Sequence, residues 1–257
     1  MYKILYVIPI YNGEKYLKYC IDSILKDDLS FIDLTIRFIN DGSTDDTSKI
    51  IEEYIKKSDG KYRIEYIEIN NSGVGKALQV GFKNIDDYDY IFRLDSDDIN
   101  VYGRTIKQIR FMILNNINIS GTYLELFPVT SIWRYPHDHY TIVEALKFCS
   151  SIAGPSVAFS KDVFSFIEYD DVRQSEDYLL WIKLSNIPNI VFGNIPEPLV
   201  KYRRHSQQLT KQDHGNFKKI NVILLLKLLI NFKISFSDKI WIIRNYLKIG
   251  LLLNRFI

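Results

Sequence analysis

Three carboxylates fall within four residues at Asp95-Ser96-Asp97-Asp98, directly after the run Tyr90-Ile91-Phe92-Arg93-Leu94. Hard divalent cations such as Mg²⁺ and Mn²⁺ prefer carboxylate oxygen and keep coordination positions for substrate phosphates. A DxD at the end of a buried strand therefore points to a cation bridging to a diphosphate, whereas a bare DxD elsewhere reads as a solvated acidic loop. A second acidic loop, Asn40-Asp41-Gly42-Ser43-Thr44-Asp45-Asp46, follows another apolar run. Ser43 or Thr44 is expected to cap the next helix. Asp41, ahead of that cap, stands where a carboxylate can accept a hydrogen bond from a base edge such as a uracil imide.

Two further clusters come later. Ser175-Glu176-Asp177-Tyr178 puts two carboxylates at the start of a helical pattern. First-turn acids can simply offset the helix dipole, but one that faces a cleft suits a general base for a hydroxyl. Lys201-Tyr202-Arg203-Arg204-His205 adds cations and an imidazole, candidates for a metal or a diphosphate. The Gly73-Val74-Gly75-Lys76-Ala77 stretch is not a Walker A loop, because Asn70 stands where its first Gly belongs and Ala77 where Ser or Thr must follow the Lys.

These clusters need elements to hold them. Strands are expected at Lys3–Ile10, Leu34–Asn40, Arg63–Ile69 and Tyr90–Leu94, and helices at Glu14–Lys26, Thr44–Ser58 and Val74–Asn84. The alternation implies a mainly parallel sheet wound with helices, and the Val/Ile/Leu/Phe-rich strands imply that both faces are covered. Ligands bind beyond the carboxyl ends of such strands, which is where both acidic loops fall. Beyond residue 99 the pattern is less regular, with a helix expected at Tyr102–Asn115, a strand near Ile119–Leu126 and a helix from about Glu176.

Composition narrows the class. At 257 residues, 47% hydrophobic and 25% charged, the chain has globular proportions, and a net charge of +2 is far from that of a nucleic-acid binder. Cys20 and Cys149 form no CxxC and suit two core thiols in a reducing compartment. The N-terminal apolar run is too short for a signal peptide, so a cytoplasmic protein is expected.

Val7-Ile8-Pro9-Ile10-Tyr11-Asn12, Asn40–Asp45, Arg93–Asp98, Glu176-Asp177 and Tyr202–His205, in that order, resemble the signature pieces of family 2 glycosyltransferases. The resemblance implies a GT-A fold: α/β, a Rossmann-like mainly parallel sheet flanked by helices, with a C-terminal helical extension. It implies an inverting transfer of a sugar from a nucleotide diphosphate donor, usually a UDP-sugar, to a hydroxyl of a glycan or lipid-linked oligosaccharide in capsule, O-antigen or lipopolysaccharide assembly. By similarity Pro9, Tyr11, Glu14 and Asp41 line the nucleoside pocket, and Asp95 lies near the ribose and the metal. By the same resemblance Asp97 would be the principal ligand of Mn²⁺ or Mg²⁺, and His205, after Arg203 and Arg204, would complete the metal and diphosphate site. Asp177 would be the general base, with Glu176 orienting it or the acceptor.

Other classes compete with this one. A sugar-1-phosphate nucleotidyltransferase needs a Gly-rich N-terminal loop that Pro9–Glu14 does not supply. An inactive glycan-binding protein has no chemical use for Asp95, Asp97, Glu176 and Asp177.

The transferase domain is expected over 1–210, with a nucleotide-binding half to about residue 100 and an acceptor half after it. Residues 211–257 carry nine Lys or Arg against two Asp, a net of +7 that leaves −5 for the rest. Arg244, Lys248 and Arg255 fall on one face at helical spacing, and no stretch is long enough to span a bilayer. Such a basic amphipathic tail suits either packing on the catalytic domain or in a dimer contact, or an anionic membrane surface; the resemblance favours a peripheral place on the inner face of the membrane.

Overall fold

The computed structural model describes residues 1–147, 149–170 and 175–205. Strands β1 (Tyr2–Ile10), β2 (Ile32–Asn40), β3 (Arg63–Glu68) and β4 (Tyr90–Arg93) alternate with helices α1 (Leu17–Leu25), α2 (Thr47–Lys57) and α3 (Val74–Gly81). A helix after each of the first three strands returns the chain to the edge where the strand began, and the four lie parallel in the order β3-β2-β1-β4. Their C-terminal ends therefore share one edge.

Burial on both faces explains why β1 shows no polar alternation. Leu5 and Val7 belong to a core with Leu78 of α3, Ile91, Phe159 and Trp181. Ile4, Tyr6, Ile8 and Ile10 belong to a second core with Leu17 and Ile21 of α1 and Ile51 of α2. Each such side chain contributes about 1.5–3 kcal/mol by leaving water.

The second half joins the same sheet. It comprises β5 (Ile99–Asn100), α4 (Arg104–Asn115), β6 (Ile119–Phe127), β7 (Ser131–Trp133), α5 (His139–Ala145), β8 (Ala158–Ser160), α6 (Glu176–Ser185) and β9 (Phe192–Arg203). The order continues from β4 through β8, β6 and β9 to β5, with β7 paired to β6. Because β8 is antiparallel to both β4 and β6, and β9 is parallel to β6, the C-terminal end of β9 lies at the same edge as that of β4.

Local differences from the sequence expectations have physical reasons. Helix α2 starts at Thr47, not Thr44, and has no side-chain cap. Ser43 and Thr44 are held instead by Asn12, whose N–H donates to Ser43 Oγ at 2.9 Å and whose Oδ1 accepts the Thr44 N–H at 2.8 Å. Cys20 is a core thiol as expected, but Cys149 is exposed. The expected tail at 211–257 lies outside the described residues. Among those described, no helix is long and apolar enough to cross a membrane.

Candidate active site

Arg93, the last residue of β4, is 3% exposed and gathers three carboxylates. Its Nη2 lies 3.1 Å from Asp95 Oδ1 and 3.3 Å from Glu176 Oε1, and its Nη1 pairs with Asp177 Oδ1. Helix α6 starts from Ser175 in the left-handed region with no side-chain cap, so Glu176 and Asp177 stand in the first turn, where the dipole favours acids. Burial pushes the Asp177 carboxyl up to about 8; Arg93 pulls it down, while Glu176 and Asp95 raise it further. Burial raises Glu176 as well, against the pull of Arg93. One guanidinium faces three carboxylates, and Glu176 and Asp177 retain their protons to higher pH than free acids would.

Beside this cluster, Asp97 Oδ2 meets His205 Nε2 at 2.8 Å. Burial and the charge of Asp95 raise Asp97, and His205 partly reverses this. Arg203 braces the pair: its Nε donates to the Asp97 carbonyl at 2.8 Å, its backbone N–H donates to Asp98 Oδ1 at 2.9 Å, and its guanidinium lies 4.3 Å from the ring centres of both Tyr16 and Phe127. Asp98 is fully buried, and its Oδ2 meets no hydrogen-bond partner among the described residues. Burial, with Asp97 and Asp95 nearby, pushes its carboxyl well above the usual range.

Among the described residues no group of three or more His, Cys, Asp or Glu forms a closed metal cage. Asp97 and His205 are nevertheless an apt donor pair for a hard-to-borderline cation. Two protein ligands leave positions for phosphate oxygens, as a cation that bridges to a substrate requires.

Residues 6–160, more than half of the chain, match the family described as Glycosyl transferase family 2. The chain belongs to that family. It is 31% identical over 211 residues to the O-antigen biosynthesis glycosyltransferase WbnJ of Escherichia coli, covering 80% of this chain and 81% of that protein. Its fold is similar to that of S. aureus TarS 1-349 solved in complex with UDP-GlcNAc, with a TM-score of 0.71 at 18% identity over 95% of this chain and 71% of that one. GalNAc-T7 with UDP, GalNAc and Mn²⁺ is also similar, with a TM-score of 0.59 at 14% identity over 80% of this chain and 44% of that one. These neighbours carry the GT-A fold.

The remaining residues expected for a family 2 glycosyltransferase lie at the same sheet edge. Asp41, just after β2, is 5% exposed; its Oδ1 accepts the Ser72 N–H at 2.7 Å and its Oδ2 the Gly73 N–H at 2.8 Å. That clamp fixes the loop leading into α3 and leaves each oxygen a second lone pair. Glu14 is tied to the loop after β2, its Oε2 accepting the Asp46 N–H at 2.9 Å. Pro9 is buried within β1, and Tyr11, just beyond it, is 52% exposed. The backbone N–H of Arg204 donates to the Phe127 carbonyl, and its guanidinium lies 5.7 Å from the Trp133 ring.

The structure thus joins Asp95, Glu176 and Asp177 through Arg93, and joins Asp97 to His205. It places Asp41 and Glu14 on the flank formed by β1, β2 and β3. Arg93 as the centre of the acidic cluster is absent from the sequence reading; its one signal there is a cation inside an otherwise apolar strand.

Proposed function

We propose that the chain is an inverting glycosyltransferase that moves a sugar from a UDP-sugar to an acceptor hydroxyl in surface-polysaccharide assembly. One observation carries this reading: the carboxylates at the start of α6 and the Asp97–His205 pair converge on the edge that also bears Asp41. A base for the acceptor and a binding site for the leaving diphosphate then stand side by side. The O-antigen assignment of WbnJ and the uridine ligands of TarS and GalNAc-T7 support the choice of acceptor class and donor.

In this reading Asp41 accepts from the base, and Pro9, Tyr11 and Glu14 line the nucleoside pocket. Asp95 faces the ribose and the metal, and Arg203 and Arg204 place positive charge beside the diphosphate. Mn²⁺ or Mg²⁺ held by Asp97 and His205, with Asp95 nearby, would stabilise the negative charge that builds on the leaving diphosphate. Asp177 removes the acceptor proton as the hydroxyl attacks the anomeric carbon from the face opposite the departing diphosphate. Glu176 holds the base or the acceptor in line. No protein nucleophile is needed for a single displacement. The basic residues of 211–257 support a peripheral contact with an anionic membrane, which would bring a lipid-linked acceptor to the site.

Thermal unfolding of the full chain with UDP, GDP, dTDP or CMP, each with and without Mn²⁺, tests the donor side. A ligand at a hundredfold excess over its Kd stabilises the folded state by about 2.7 kcal/mol. Stabilisation by UDP that needs Mn²⁺, and that is lost in Asp97→Ala, is the expected result. Stabilisation by another nucleotide overturns the donor, and none by any of them overturns the reading.

A further inference from the structure

We infer that Arg93 is a positioning residue for the transfer step: together with the bare backbone of Gly154, it holds the Asp177 carboxylate in the orientation from which it takes the acceptor proton, and it ties that carboxylate to Asp95 on the donor side. This rests on Asp177 being the base.

Arg93 sits in a strand whose neighbours Ile91, Phe92 and Leu94 are fully buried. A cation there does not serve packing, because buried ion pairs can generally be replaced by apolar side chains without loss of stability. Arg104, also fully buried, bonds neutral groups: Gln108 Oε1 at 2.8 Å, the Arg93 carbonyl at 3.0 Å and Asn100 Oδ1 at 3.4 Å. Arg93 instead meets three carboxylates, two of them more than eighty residues away in sequence. It links the strand that ends in the DxD to the helix that carries the base.

Gly154 closes the other side. A Cβ there would fall on the Asp177 carboxylate and 2.9 Å from Arg93 Nη1. Gly154 is not among the glycines with positive φ, so what the site requires of it is space. Asp177 is therefore held on one side by the Arg93 Nη1 donor, whose Nη2 is fixed by Asp95 and Glu176, and on the other by backbone with no side chain. A carboxylate so held keeps one orientation, which proton abstraction in a near-attack geometry demands.

The test uses the full chain and the UDP-sugar on which it is active, with UDP plus Mn²⁺ as the binding probe. Arg93→Met and Gly154→Ala are expected to lower kcat about 100-fold, the lower range for loss of a positioned base, while in Gly154→Ala, which leaves Asp95 in place, UDP affinity and the donor KM change less than about threefold. Arg93→Lys, which restores a cation but not the fork, is expected to recover part of the kcat. In combination with Asp177→Asn, either substitution should add little, because the residues act as one unit. A merely structural role would lower UDP affinity and kcat together, and that outcome overturns the inference, as does unchanged kcat in Gly154→Ala. Should Arg93→Met fail to fold, Gly154→Ala decides, since it touches Asp177 without removing a charge. Full activity in Asp177→Asn would overturn the base reading itself. Loss of activity in Asp177→Asn with full activity in Gly154→Ala and Arg93→Lys would overturn this inference alone.

Discussion

The Asp177 carboxyl is set between two opposing effects, burial that favours its neutral form and an arginine that favours its charged form, and burial prevails by enough to raise it to about 8. A general base works only when ionised, so the sign follows: transfer should rise as pH rises through about 8 and level off above it. Between pH 7 and pH 9 the ionised fraction grows roughly tenfold, and kcat measured across that range should follow it. Asp177→Asn should remove transfer while leaving Mn²⁺-dependent UDP binding in place. A flat profile, or an Asn variant with undiminished turnover, would take Asp177 out of the proton transfer. Asp97 answers to a different measurement, because in the proposed reading it holds the cation with His205 and does not touch the acceptor. His205→Ala should weaken UDP binding in Mn²⁺ but leave UDP binding in EDTA unchanged, which isothermal titration can separate.

Elements decide whether those residues meet. Asp27, two residues past the end of α1, is 7% exposed and ties the start of α4 to the segment that follows α1. Its Oδ2 accepts the Thr105 hydroxyl at 2.5 Å, the Asn100 amide at 2.9 Å and the Thr105 N–H at 3.1 Å, while its Oδ1 takes the Gly103 N–H. Asp27→Ala would leave several buried donors unmet, and each costs about 1–3 kcal/mol unless water replaces the partner. A loss of about 2–4 kcal/mol in urea unfolding is expected, and a loss under 1 kcal/mol would show that water fills the gap. β1 and β4 were legible in the sequence because burial on both faces gives nearly unbroken apolar runs, whereas β3, none of whose residues is buried, was legible by its β-branched and aromatic residues alternating with charged ones. β5, β7 and β8, at two or three residues each, are too short to carry a period. The acidic clusters were legible as well, since carboxylates at strand and helix ends stand out from an apolar background. Arg93 was not, because its role depends on α6 folding back against β4, and Gly154 looks like any turn glycine until the Asp177 carboxylate is placed against it.

At the scale of the whole molecule, charge is the property that divides the chain. Residues 1–210 carry a net −5 and residues 211–257 a net +7, although the sum is only +2. If the basic segment reaches an anionic membrane as proposed, each Lys or Arg near the surface is worth about 1 kcal/mol. Nine of them compete with the repulsion from the acidic part, which is screened over about 8 Å at physiological salt. The full chain should therefore sediment with vesicles containing phosphatidylglycerol and not with phosphatidylcholine alone, and it should come off as salt approaches 1 M. Replacing Lys227, Arg244 and Lys248 with Glu removes two charges' worth of attraction at each position, taking the net from +2 to −4. That variant should lose vesicle binding and keep Mn²⁺-dependent stabilisation by UDP, because the proposed donor residues, Asp41, Asp95, Asp97 and His205, are unchanged in it. Equal binding to neutral and anionic vesicles would point to apolar insertion instead, and undiminished binding of the variant would move the membrane contact away from these charges.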